Sequence, residues 1–191
     1  MKKRFIFIAF TLVIIDQTIK VIIANTFMEP HVHVVWIESV LTFCPTQNIH
    51  LSWIPSMLDY MMPIYMAVII IIISILLTIV IYRLVIYCSS NWSRHTFMPG
   101  LYLLFTLSGA ICALIDVAFW GGSIDYIQLF DWFIFDLKDV YLSLGSACLL
   151  LYLIVFYKQY YTLSKEERKE YSKKTKILPW LKAGLPLNQT S

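Results

Sequence analysis

Between Met66 and Tyr82 the chain reads MAVIIIIISILLTIVIY, without a single charge. That is about what a helix needs to cross a hydrocarbon core of roughly 30 Å. The run lies within residues 62–87, and three other stretches are like it. Residues 5–24 are apolar except for Asp16, Gln17 and Lys20; residues 97–120 are uncharged until Asp116; residues 138–157 are uncharged from Val140 onward. In lipid every backbone polar group needs a partner within its own segment or a closed barrel, and four segments cannot close a barrel, so the β-branched run Ile69–Ile73 also reads as helix. At 59% hydrophobic and 14% charged, with a mean hydropathy of +0.72, the chain fits neither a water-solvated domain nor a disordered one. The expected fold is an all-α membrane protein of four transmembrane helices.

Charge sets the expected orientation. Lys2, Lys3 and Arg4 precede the first span, Arg83 and Arg94 flank the loop between the second and third, and eight cations lie from Lys158 onward. Residues 25–61 contain no Lys or Arg. The positive-inside rule therefore places both termini in the cytoplasm and loops 25–61 and 121–137 outside. Of the acids, only Glu166, Glu167 and Glu170 fall on the inner side. The first span follows a basic segment as a cleaved leader would, but no A-x-A site follows it and Asp16 and Lys20 stand where cleavage would occur, so it is expected to be retained. Loop 25–61, with alternation such as His31-Val32-His33-Val34, is expected to hold a small sheet lying on the membrane. Loop 121–137 is aromatic, as suits an interface. Residues 1–160 then form the membrane domain and 161–191 a basic cytoplasmic tail opening with a short helix.

Ionisable residues within spans carry a cost that points to function. Counted at 1.5 Å per residue from Phe97, Asp116 stands ~28 Å up the third span, near the outer face. Asp139 begins the fourth span at that same face. Two close carboxylates share a proton, so that one can take a proton from water while the other polarises a peptide carbonyl. The competing reading is that each acid caps a helix end, a role that Asp139 would suit. Asp16 and Lys20 stand four apart on one helix face, acid first, the favourable order for an ion pair, which either staples the bundle or holds a polar group of a substrate.

These residues, taken together, resemble the lipoprotein signal peptidase (signal peptidase II) family. Asp16-Gln17-Thr18-Ile19-Lys20 resembles its D-Q-x-x-K motif, and Asn48 through Trp53 its N-x-G-x-x-F segment. Ala113 through Asp116 resembles G-N-x-x-D, and Phe135 through Asp139 with Gly145 resembles F-N-x-A-D…G. The motifs come in family order across roughly residues 5–157. The resemblance implies an intramembrane aspartic endopeptidase that cuts diacylglyceryl-modified prolipoproteins just before the lipidated cysteine, at the outer face of a bacterial cytoplasmic membrane. It implies Asp116 and Asp139 as the catalytic pair, and Asp16, Lys20, Asn48 and Asp136 as residues that organise the site and position substrate. Loop 25–61 would then cradle the lipoprotein and 121–137 cover the site. The chain departs from the pattern at Cys112 and Ala113, which stand where the family has Gly and Asn, and at Asp136, Lys138, His50 and Trp53, which stand for Asn, Ala, Gly and Phe. Two orienting amides are thereby lost. The second reading is accordingly a relative that binds lipopeptide without cutting it.

No cofactor is expected, and no metal. His31 and His33 would share a strand face with His50 as a third ligand, but no Cys or carboxylate completes a zinc site. Cys112 shares a helix face with Asp116 but has no activating His in its span, and Cys44, Cys88, Cys112 and Cys148 show no paired or metal-type spacing. The sequons at Asn91 and Asn188 fall on the cytoplasmic side and should be silent. The tail lacks interleaved aromatics for stacking on bases, so no nucleic acid is expected; lipids and the prolipoprotein are the expected partners of a monomer. A proton relay through Asp16 and Lys20 would need polar residues towards the inner side, where the second span offers only Ser74 and Thr78.

Overall fold

In a computed structural model the chain is described over residues 2–28, 32–50, 59, 61–89, 97–130 and 132–186. His31, Leu51 through Trp53, Arg94 and both sequons lie outside those residues. The four apolar stretches form α1 (Lys2–Thr26), α2 (Ile64–Ser89), α3 (Phe97–Ile115) and α4 (Leu137–Thr162). Helix α3 runs on through a π-helical turn, Asp116–Trp120. These four helices are long and apolar enough to cross a membrane. Their outward faces are apolar, with Ile69, Leu76, Leu77, Leu150 and Leu151 about half exposed, the pattern of residues solvated by lipid rather than water. Helices α3 and α4 approach most closely. A Cβ added at Gly109 would come within 2.8 Å of Leu142 Cδ2, and one at Gly145 within 3.1 Å of the Thr106 backbone nitrogen. Small residues at such a crossing let backbones approach where no hydrophobic effect drives association.

At the Asp116 end of the bundle the two loops meet in one antiparallel sheet of order β1-β2-β3-β4: Val34–Ile37, Leu41–Asn48, Ser123–Leu129 and Phe133–Phe135. The sheet expected within 25–61 is therefore completed by 121–137, whose aromatic run pairs Ile127 with Phe135 and Leu129 with Phe133. Strand β2 breaks register with β3 between Phe43 and Thr46, around Pro45, which has no N–H to give to the ladder. Ile23 of α1, Ile124 and Tyr126 form the buried centre that joins the sheet to the bundle.

The tail is folded. Helix α4 continues to Thr162, two residues past the expected boundary, and is followed by α5 (Lys165–Lys174) and α6 (Ile177–Lys182). Helix α5 opens with a reciprocal cap, in which Glu167 N–H donates to Ser164 Oγ at 3.2 Å and Ser164 N–H to Glu167 Oε2 at 2.8 Å. It turns back against the ends of α2 and α4. Tyr171 Oη donates to the Cys88 carbonyl at 2.9 Å, and its ring meets Phe156 and Tyr160.

Candidate active site

Helix α4 begins where it does because Asp136 caps it. The Asp139 N–H donates to Asp136 Oδ1 at 3.1 Å, and the Asp136 N–H donates to Asp139 Oδ2 at 3.4 Å. This reciprocal box fixes both carboxylates at the mouth of α4. Asp116 arrives from α3 as the first residue of the π turn, its carbonyl accepting from the Gly121 N–H. Gly121 then takes a positive φ of 63°, and Gly122 passes so close to β2 that a Cβ there would stand 2.8 Å from the Asn48 carbonyl oxygen. The turn thus delivers the chain from Asp116 into β3 beside Asn48, and Asn48 pairs with Ser123 in the sheet. π turns are rare and recur at functional sites.

Two lysines tie the acids together. Lys20 Nζ, wholly buried, lies 3.0 Å from Asp16 Oδ2, 2.6 Å from Asp116 Oδ2 and 2.7 Å from Asp136 Oδ2. The Asp16–Lys20 pair read along one helix face is thus part of a wider network reaching α3 and the mouth of α4. Lys138 Nζ lies 2.7 Å from Asp136 Oδ2, 3.5 Å from Asp116 Oδ2, 3.7 Å from Asp125 Oδ1 and 3.9 Å from Asp139 Oδ1. Asp116 and Asp139 therefore flank one ammonium, with Asp116 closed off and the Asp139 side chain 36% exposed. Asp125, Asp136 and Asp139 crowd their carboxylates within 4.8 Å, a spacing that could hold a cation, and Lys138 supplies that cation from the chain itself. Burial would raise the Asp136 carboxyl, but the ammoniums of Lys138 and Lys20 outweigh it and hold the group below the ordinary carboxylate range. Asp125 is pushed the other way: burial raises it, and Lys138 and the hydrogen bonds from Ser123 and Asn48 offset that only in part.

Three participants escaped the sequence reading. Ser123 Oγ accepts from Lys138 Nζ at 2.6 Å and lies 2.6 Å from Asp125 Oδ1, 3.1 Å from Asp136 Oδ2 and 3.3 Å from Asp116 Oδ2. A single serine in an aromatic loop carries no signal of that role. Asp125 accepts from Asn48 Nδ2 at 3.0 Å, so Asn48 reaches the cluster through it. Gln17 donates to Asp116 Oδ1 at 3.1 Å and accepts from Trp120 Nε1 at 3.1 Å; its place inside D-Q-x-x-K was the available clue. Cys112 lies against Asp16 and within the same electrostatic environment. His50 Nε2 stands 3.8 Å from Asp59, and its backbone N–H donates to Asn48 Oδ1 at 3.2 Å. Beside the cluster, α1 and the sheet border an open apolar groove of about 420 Å³, lined by Ile19, Ile23, Phe27, Val34, Trp36 and Tyr126.

Two solved structures described as bacterial membrane enzymes share the fold. One has a TM-score of 0.62 at 24% identity, over 80% of this chain and 88% of its own. The other has a TM-score of 0.61 at 23% identity, over 79% of this chain and 92% of its own. Among curated proteins no sequence matches. The family model described as "Signal peptidase (SPase) II" matches residues 8–155, a stretch that holds all four apolar helices' cores, both lysines and every carboxylate of the cluster. The chain therefore belongs to the signal peptidase II family, whose members are proteases of the aspartic type.

Proposed function

We propose that the protein is an intramembrane aspartic endopeptidase that removes the signal peptide from diacylglyceryl-modified prolipoproteins. One observation carries the reading: Asp116 and Asp139, from different helices, approach one ammonium to 3.5 and 3.9 Å at the mouth of the bundle. Asp139, the exposed partner, takes a proton from the attacking water. The water oxygen bonds to the peptide carbon, the carbonyl oxygen gathers charge, and the C–N bond breaks as the proton passes to the leaving amine. A donor must meet that oxygen. In a pair of close carboxylates that share one proton, the protonated member can serve as that donor. Here Asp116 is engaged by Lys20 and Gln17, and Lys138 places an ammonium between the pair, so Lys138 is the donor nearest to hand.

The other residues position rather than react. Lys20 anchors Asp116 to Asp16 and Asp136, and Asn48 steadies Asp125. The open apolar groove between α1 and the sheet suits an acyl chain of the lipidated cysteine. The charge distribution supports cytoplasmic termini and a site at the outer face; the membrane in this reading is a bacterial inner membrane, and the protein works there as a monomer.

A specific observation favours the second reading, a lipopeptide binder that does not cut: Lys138 satisfies the carboxylates that would otherwise share a proton. Purified protein offered a lipidated prolipoprotein separates the two. Cleavage that disappears in Asp116→Asn and Asp139→Asn establishes the enzyme. Equal binding without cleavage by the parent and both variants establishes the binder.

A further inference from the structure

The tail lies beyond the stretch that matches the family, yet it is built onto the membrane helices. Trp180 of α6 is 3% exposed, and its ring stacks on Tyr87, in the last turn of α2, with centroids 5.5 Å apart. Tyr87 Oη donates to the Lys174 carbonyl at 3.0 Å, and Trp180 Nε1 donates to the Pro186 carbonyl at 2.9 Å. Helix α6 is therefore held at the level where a membrane-crossing helix ends. Its other side is bare: Ile177 is 55% exposed, Leu178 65% and Leu181 49%. Exposed lysines stand on both sides of that apolar face, Lys173, Lys174 and Lys176 before it and Lys182 after it. Of the three acids on α5, Glu170 is paired with Lys174 at 2.7 Å, Glu167 with the helix cap, and exposed Glu166 is set against Lys165, Arg168 and Lys169, which leaves Lys173, Lys176 and Lys182 as a basic edge in excess.

An apolar stripe with a lysine border, pinned at the height of the headgroups, is the form of an interfacial helix on an anionic leaflet. We propose that α6 lies in the bilayer surface with Ile177, Leu178 and Leu181 among the acyl chains and Lys173, Lys176 and Lys182 on anionic lipid headgroups. In that position the tail is fastened to the ends of α2 and α4, which Tyr171 and Trp180 grip between them.

The test uses full-length protein in nanodiscs of phosphatidylcholine, alone or mixed with phosphatidylglycerol. A benzophenone amino acid replaces Leu178, and in a control Leu150, which is 60% exposed on α4. Both positions should crosslink lipid. Capture at 178 should rise several-fold with phosphatidylglycerol, while capture at 150 stays level. The variant Lys173→Gln/Lys176→Gln/Lys182→Gln should lose the rise at 178 and keep capture at 150. Protein adducts or no adduct at 178, or lipid capture there that ignores phosphatidylglycerol, overturns the proposal.

Discussion

Lys138 Nζ sits 2.7 Å from Asp136 Oδ2, so the base and the acid that depart from the family motif at the mouth of α4 are partners of one another. An extra carboxylate here would load the cluster with uncompensated negative charge, and an extra ammonium would do the opposite. Together they add no net charge and leave a short, buried bond.

That pairing predicts a double-mutant cycle with a strong coupling. Lys138→Ala leaves Asp125 without its ammonium and Asp136 and Asp116 with Lys20 alone, and loss of one partner of a buried pair costs about 3–5 kcal/mol. The double variant Asp136→Asn/Lys138→Ala restores the motif and should cost clearly less. Thermal unfolding in detergent of the parent, the two single variants and the double variant measures this. A loss in the double variant equal to the sum of the two single losses would mean that the pair is not coupled.

Lys20 should tolerate replacement least. Its ammonium touches Asp16, Asp116 and Asp136, and no water reaches it. Lys20→Met leaves three buried acids facing each other, so a loss of about 3–5 kcal/mol is expected, together with loss of peptide cleavage. A near-parental melting temperature would contradict the expectation.

Gly145 tests the helix crossing that sets the spacing of the carboxylates. A side chain there meets the Thr106 backbone at 3.1 Å and the Tyr102 carbonyl at 3.4 Å, and neither can move without α3. Gly145→Val should cost about 1–3 kcal/mol and depress cleavage further than that loss of stability explains, because Asp116 and Asp139 ride on the two helices it separates. Gly100, with open space around it, provides the control: Gly100→Ala should leave cleavage intact.

Acidity should act on Asp136 and Asp125 with opposite signs. The folded state holds the Asp136 carboxyl below its usual 3.8, so its ion pairs add stability above that pH and lose it as pH falls through the lower folded value. Asp125 is raised above 3.8, so what it contributes is complete in acid and declines as pH climbs through the raised value. The stability gap between the parent and Asp136→Asn should therefore be widest near neutrality and close below about pH 4. Unfolding in detergent across pH 3 to 7, on the order of one unit per step, would show it, and a gap that widens in acid would refute it.

The spans were legible because a bilayer demands long apolar runs, a signal that no tertiary contact can override. The sheet was half legible. The alternation at His31–Val34 pointed to a sheet in that loop but ends where β1 begins, and β3 and β4 read as an aromatic loop, since Tyr126, Phe133 and Phe135 suit a strand and a membrane interface alike. The cluster was legible where charge sits inside a span, as at Asp16, Lys20 and Asp116. It was opaque where a residue acts through a register that only the sheet defines. Ser123 reaches Lys138 because β3 pairs with β2, and nothing local to it says so. Helix α6 was missed because six residues with a proline carry too little periodicity to read.

The wide turn at Asp116–Trp120 holds one residue more than an α-helical path from Asp116 to the sheet would use. Removing Val117 would tighten it, swinging everything downstream by about 100° around the axis of α3. The indole of Trp120 would turn away from Gln17, and Ser123 would leave the lysine it now serves. This surplus residue works as a shim, and the alignment of a whole membrane helix with a surface sheet hangs on its thickness.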